Sequence, residues 1–198
     1  MPNWCANSLK LTPTTDEHKA LIARIFETVK QSEETQDNPR IFNTLKPMPE
    51  ELRGTVKGFT NDPEEMAKMQ AASALCKAKY GYPDWYEWAL GEWGTKWDAS
   101  DAFASIEGDA LHLTFDTAWS PPIELYKTLE ESGFKVQAGF VEIGADYIGY
   151  YANGVDHTEA IPQGEQQNDD DEWHDPFELS DFFQKNYGLD HAPSHFGG

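Results

Sequence analysis

Two kinds of apolar periodicity alternate along this chain, and they predict an α+β fold in which an antiparallel sheet carries helices on one face. Period-two runs mark strands over 3–12, 97–106, 111–119, 134–143 and 147–153, and three- and four-residue spacing marks helices between them. The third observation is the order: strand, helix, inserted helices, hairpin, helix, strand, strand. Strands that follow one another directly, with helices between the rest, suit an antiparallel sheet with its helices on one side.

The first strand is NWCANSLKLT, residues 3–12, which alternates apolar and polar until Pro13 ends it. Thr14, Thr15 and Asp16 then offer cap oxygens to a helix whose apolar face is Leu21, Ile22, Ile25, Phe26 and Val29, running to about Lys30. A polar loop comes next, and Pro47 and Pro49 predict an ordered, extended segment after it. Asp62-Pro63-Glu64 starts a second helix that Gly81 stops, and residues 83–92 fit a short third one. In the second half, Glu107-Gly108-Asp109 is a turn between two strands. On the second of these, Leu111, Leu113, Phe115, Thr117 and Trp119 share a face. Ser120-Pro121-Pro122 opens a helix with Ile123, Leu125, Tyr126 and Leu129 inside, and Gly133 closes it. The split βαβ arrangement of ferredoxin-like folds is the simplest match to this order. The predicted organisation is a ferredoxin-like domain over 1–155, with a helical insertion at about 40–92, and an acidic extension over 156–198. That extension reads as a partly disordered tail in which PFELSDFFQKNYGL fits a short amphipathic helix.

Charge narrows the function. The chain holds 35 acidic and 15 basic residues, a net charge of −20. Half of that excess lies in 156–198, where eleven acids face the single base Lys185. A protein that grips a nucleic-acid backbone needs cations to neutralise phosphates, so direct nucleic-acid binding is unfavoured. There is no apolar run of membrane-spanning length, and MPNWCANSLK lacks the pattern of a secretory leader. Cys5 and Cys76 are too few for a disulfide framework, which places the chain in a reducing cytoplasm.

Three motifs, MPNWCANSLKL at the start, WGTKWDAS over 93–100 and FDTAWSPP over 115–122, resemble the phage- and plasmid-encoded YubB-like proteins. The resemblance covers roughly residues 1–153. It implies a ferredoxin-like domain and a mobile-element origin in a bacterial host cell. That family has no assigned activity, so it implies no catalytic residues.

The candidate site residues fall in two places. In WGTKWDAS, Lys96 with Trp93 and Trp97 would make a binding loop. The favoured reading, however, is a structural turn at Gly94 with Trp93 and Trp97 packed inward, and with Trp119 buried as well, the usual fate of large aromatics. In the acidic extension, Trp173, Phe177, Phe182 and Phe183 would anchor a partner inside a negative field. Asp116 and Ser120 read as a strand end and a helix cap rather than a pocket rim. His157, His174, His191 and His195 are not spaced as metal ligands, and neither CxxC nor HExxH occurs, so no metal and no cofactor is expected. Cys5 reads as a small buried hydrophobe. No constellation supports an enzyme. The chain therefore reads as a non-enzymatic interaction protein whose acidic surface binds a basic host or phage protein, presenting charge as a nucleic acid does. The alternative is a ferredoxin-like module that binds single-stranded nucleic acid through exposed sheet aromatics.

Overall fold

The computed structural model describes residues 3–35, 37–55, 58 and 60–161. The anchors Trp173, Phe177, Phe182 and Phe183 lie outside the described residues, as does most of the acidic extension. Strand β1, Trp4–Thr12, turns Cys5, Asn7, Leu9 and Leu11 to one face, as its alternation requires. Helix α1, Asp16–Thr35, buries Ile22, Ile25 and Val29 and continues past Lys30.

Two short helices, α2 (Ile41–Leu45) and α3 (Glu50–Arg53), occupy the segment expected to be extended. Proline forbids a long helix there but not separate turns: Pro49 is the N-cap residue of α3, where a missing N–H costs nothing. Ile41, Phe42 and Leu52 bury fully and hold both turns against the core. Helix α4, Pro63–Tyr80, starts on Asp62, whose carboxylate accepts the N–H groups of Glu64 and Glu65. Asp84 does the same for α5, Trp85–Glu92, by accepting from Glu87 N.

The remaining elements are β2 (Ser100–Glu107), β3 (Ala110–Ala118), α6 (Ile123–Glu131), β4 (Lys135–Glu142), β5 (Tyr147–Ala152) and β6 (Val155–Ala160). The six strands form one sheet in the order β2-β3-β1-β4-β5-β6, and every neighbouring pair is antiparallel. Register puts Leu9 opposite Leu113 and Ala138, and Leu11 opposite Leu111 and Val136, so these side chains share a face. The buried residues of α1, α2, α3, α5 and α6 join them in one core cluster, together with Phe115 and Tyr151. This is an α+β structure with a six-stranded antiparallel sheet. Tyr126 and Tyr151 are among its largest buried groups, and both hydroxyls are satisfied, donating to Asn7 Oδ1 (3.4 Å) and Glu130 Oε2 (2.7 Å). Among the described residues no helix is long and apolar enough to cross a membrane.

Four features differ from the sequence reading. β2 begins at Ser100 rather than at residue 97, and β3 ends at Ala118, so Trp97 and Trp119 flank the strands. Helix α6 takes Pro122 as its N-cap residue with no side-chain cap, and Ser120 instead donates to Gly94 O (2.9 Å). β6 includes the first residues of the segment read as tail. The hairpin that makes it is a two-residue turn, Asn153-Gly154, between the paired Ala152 and Val155, and both turn residues have positive φ, 52° and 74°. Asn-Gly suits that turn because its twist matches the strands.

Gly154→Ala should therefore lower stability by about 1–2 kcal/mol, the cost of the left-handed region for a residue with a Cβ. Amide exchange over 155–160 should quicken with it. Unchanged exchange there would contradict the turn assignment.

Candidate functional site

Residues 93–99 link α5 to β2, and buried groups fix this loop at both ends. Trp93 is 5% exposed; its indole N–H donates to Lys46 O at 3.0 Å, and its ring meets Trp88 and Phe42 edge-on. Its carbonyl accepts from Leu125 N (3.2 Å), which ties the loop to α6. Gly94 comes next at φ +89°, and a Cβ there would stand 2.9 Å from Ile123 N, so only glycine lets the chain pass. Thr95, fully buried, donates from its hydroxyl to Ala118 O (3.0 Å). At the far end the Asp98 carboxylate accepts from Phe42 N (2.7 Å), Asn43 N (3.0 Å) and Ala99 N (2.9 Å), which joins the loop to α2. Burial pushes the Asp98 carboxyl up to about 6, against the pull of those three N–H groups and of Arg40.

With Trp93 and Thr95 pulled inward and Asp98 clamped, Lys96 and Trp97 are displayed outward. Trp97 is 39% exposed, Trp119 44% and Trp4 40%. These side chains form one patch. The Lys96 ammonium lies 4.3 Å from the ring centre of Trp97, 5.0 Å from that of Trp119 and 6.0 Å from that of Tyr86. Trp4 lies beside Trp97, with ring centres 6.3 Å apart. Trp119 adopts φ +68°, a left-handed backbone that a bulky residue keeps only when its surroundings hold it there. Here Trp119 N donates to Asn3 O (3.0 Å), and Trp119 O accepts from the Tyr147 hydroxyl (2.9 Å).

The patch corrects the expectation that Trp97 and Trp119 are core residues. Both lie beyond the ends of their strands, where alternation no longer assigns a face. Of the three loop residues singled out, Trp93 is structural, whereas Lys96 and Trp97 reach the surface. Sequence reasoning missed Trp4, Trp119 and Tyr86 as members. One signal was available for Trp4, which falls out of phase with Cys5, Asn7, Leu9 and Leu11 and in phase with Ser8 and Lys10.

The arrangement offers stacking faces and a cation, with no acid–base or nucleophilic pair among them. Cys5 is fully buried, and burial pushes its thiol up to about 12, so it remains a protonated, inert group. Among the described residues no three His, Cys, Asp or Glu side chains come together to hold a metal. A separate cleft of about 470 Å³ lies among Ser32, Glu33, Asp37, Asn38, Asp101 and Phe103. Its three carboxylates are on exposed residues, and Glu33 already pairs with Lys30.

Comparison with known proteins adds little. No family model matches the chain, and no curated protein does. Among solved structures, the crystal structure of protein api92 from Yersinia pseudotuberculosis, described by the family model DUF1281, is similar. It is 14% identical, covers 84% of this chain and 100% of its own, and superposes with a TM-score of 0.44. A likeness of that size transfers neither fold nor function.

Two outcomes test the site's construction. Trp93→Ala should cost about 3–5 kcal/mol, as for a buried aromatic, while Trp97→Ala should stay within about 1 kcal/mol of the wild type, as for a surface position. Chemical denaturation of both variants separates the roles, and equal losses would contradict them. Asp98 gives the second. Its folded-state pKa lies above the ordinary aspartate value, so the folded protein holds the extra proton between about pH 4 and 6. Its contribution is therefore full below pH 4 and is lost as pH rises through 6. Relative to Asp98→Asn, the wild type should lose stability across that window in urea titrations, and a gain there would contradict the assignment.

Proposed function

We propose that this chain is a non-enzymatic interaction protein of a bacterial mobile element, acting in the cytoplasm, that engages a basic host or phage protein. The observation that carries the proposal is the exposed patch of Trp4, Trp97 and Trp119 on a chain of net charge −20. Tryptophan is enriched at the energetic centres of protein interfaces, because a large rigid ring buries much area at little entropic cost. Negative charge around such an anchor steers basic partners toward it and repels acidic ones. The acidic C-terminal extension, with Trp173, Phe177, Phe182 and Phe183, is proposed as a second set of anchors of the same kind.

The scaffold is read as ferredoxin-like. The segment β2-β3-β1-β4, with α1 after β1 and α6 between β3 and β4, has the strand order of a split βαβ unit, and the β5–β6 hairpin extends it. Such sheets also bind single strands of nucleic acid by stacking, and Lys96 among exposed rings favours that second reading. The scarcity of cations weighs against it, since 15 basic residues face 35 acidic ones and phosphate contacts need the reverse.

The test is fluorescence anisotropy with a labelled arginine-rich peptide and with oligothymidylate at about 0.15 M salt. The peptide should bind and the oligonucleotide should not reach submicromolar affinity. Trp97→Ala and Trp119→Ala should each weaken the peptide about tenfold, roughly 1.4 kcal/mol. Tight oligonucleotide binding, or peptide binding indifferent to both substitutions, would overturn the proposal.

A further inference from the structure

We propose that Tyr86, Trp97 and Trp119 form a cage for an alkylammonium or guanidinium side chain, and that Lys96 occupies it as an internal stand-in. The inference rests on the interaction reading above and specifies what the patch takes from a basic partner: the cationic end of one lysine or arginine.

The placement of Lys96 is the first ground. Five other lysines sit against carboxylates: Lys19 on Asp109, Lys30 on Glu33, Lys46 on Glu92, Lys79 on Glu51 and Lys127 on Glu124. Lys96 does not, and among the described residues neither do Lys10, Lys68, Lys77 and Lys135; what sets Lys96 apart is that its ammonium lies within 6.0 Å of three ring centres. Among the described residues no ion pair and no hydrogen bond holds its ammonium; its neighbours are the three rings. The face of an aromatic ring carries the negative part of its quadrupole, and several faces around one point bind a positive charge without neutralising it. A group of rings that retains a lysine in this way has an intrinsic preference for cations.

The second ground is that the rings are placed by other parts of the fold. Trp119 is set by its left-handed backbone and by Asn3 and Tyr147. Trp97 is set by a loop pinned through Thr95 and Asp98, with Trp4 at its side. Tyr86 belongs to α5, where it meets Trp85 edge-on. None of these supports involves the Lys96 side chain, so the cage persists when the lysine leaves. Exposure supplies the third ground. Trp97 and Trp119 are each about two-fifths open to solvent, and the lysine stem is flexible, so an incoming cation can displace it from the solvent side.

The experiment uses the full chain and tetramethylammonium chloride as probe, with neutral neopentyl alcohol as a shape control, read by calorimetry. Lys96→Ala empties the cage, whereas Lys96→Met leaves a neutral chain of similar length inside it. Circular dichroism checks that each variant folds. Lys96→Ala should bind tetramethylammonium about tenfold more tightly than the wild type, Lys96→Met no more tightly than the wild type, and neither should bind the alcohol. Any other ordering, equal binding of the alcohol, or saturable binding of adenosine monophosphate in place of the cation would overturn the cage. The arginine-rich peptide distinguishes the two proposals. If it still depends on Trp97 while tetramethylammonium fails, the cage is wrong and the interaction reading stands. If peptide and probe both fail, both readings are wrong.

Discussion

Trp93 is the residue on which the rest of the site depends. Its indole N–H donates to Lys46 O, its ring packs against Trp88 and Phe42, and its backbone carbonyl accepts from Leu125 N, so one buried residue joins α2, α5 and α6. A buried indole is tolerated because its one donor is satisfied; without Lys46 O it would cost about 1–3 kcal/mol. That junction also dictates the path of the next residues. The chain leaves α5 against the start of α6, with space for a backbone but not for a Cβ at position 94. It then turns inward again at Thr95, and the two residues it cannot bury, Lys96 and Trp97, become surface.

The remaining features compensate for that exposure. Asp98 brings a carboxylate inside and gives it three backbone donors, two of them from α2, so the loop is fastened on the side opposite Trp93. Its raised pKa reflects incomplete compensation, because desolvation outweighs three hydrogen bonds. Trp119 stores backbone strain at the end of β3, and the hydrogen bonds from its N–H to Asn3 and from Tyr147 to its carbonyl hold it. A strained tryptophan, a lysine among three rings and a half-buried carboxylate thus fall within one loop cluster. Rigid anchors lose little entropy when a partner arrives, which is the property the proposed interaction calls for.

Much of the architecture was legible from periodicity, because burial on one face enforces it. β1, α1, β3, α6 and β4 were marked by their own apolar spacing, and α4 by Asp62-Pro63 at its start and Gly81 at its end. The failures lie where burial does not alternate. α2 and α3 are single turns too short to show a period, and two prolines hid them. β6 is exposed along its whole length, so it carries no apolar pattern, although Asn153-Gly154 announced the turn before it. The site was half legible. The density of tryptophans drew attention to the loop at once, but a tryptophan just beyond a strand end looks the same in sequence as one inside it. Trp97 precedes β2 by three residues and Trp119 follows β3 by one; those small offsets separate core from surface.

The most direct measurement is an NMR titration of the indole N–H resonances with an arginine-rich peptide. The seven tryptophans give separate reporters. The expected result is that the resonances of Trp4, Trp97 and Trp119 move together and saturably, while those of the buried Trp88 and Trp93 stay in place. Movement confined to the buried pair, or no saturable movement at Trp97 and Trp119, would contradict the account.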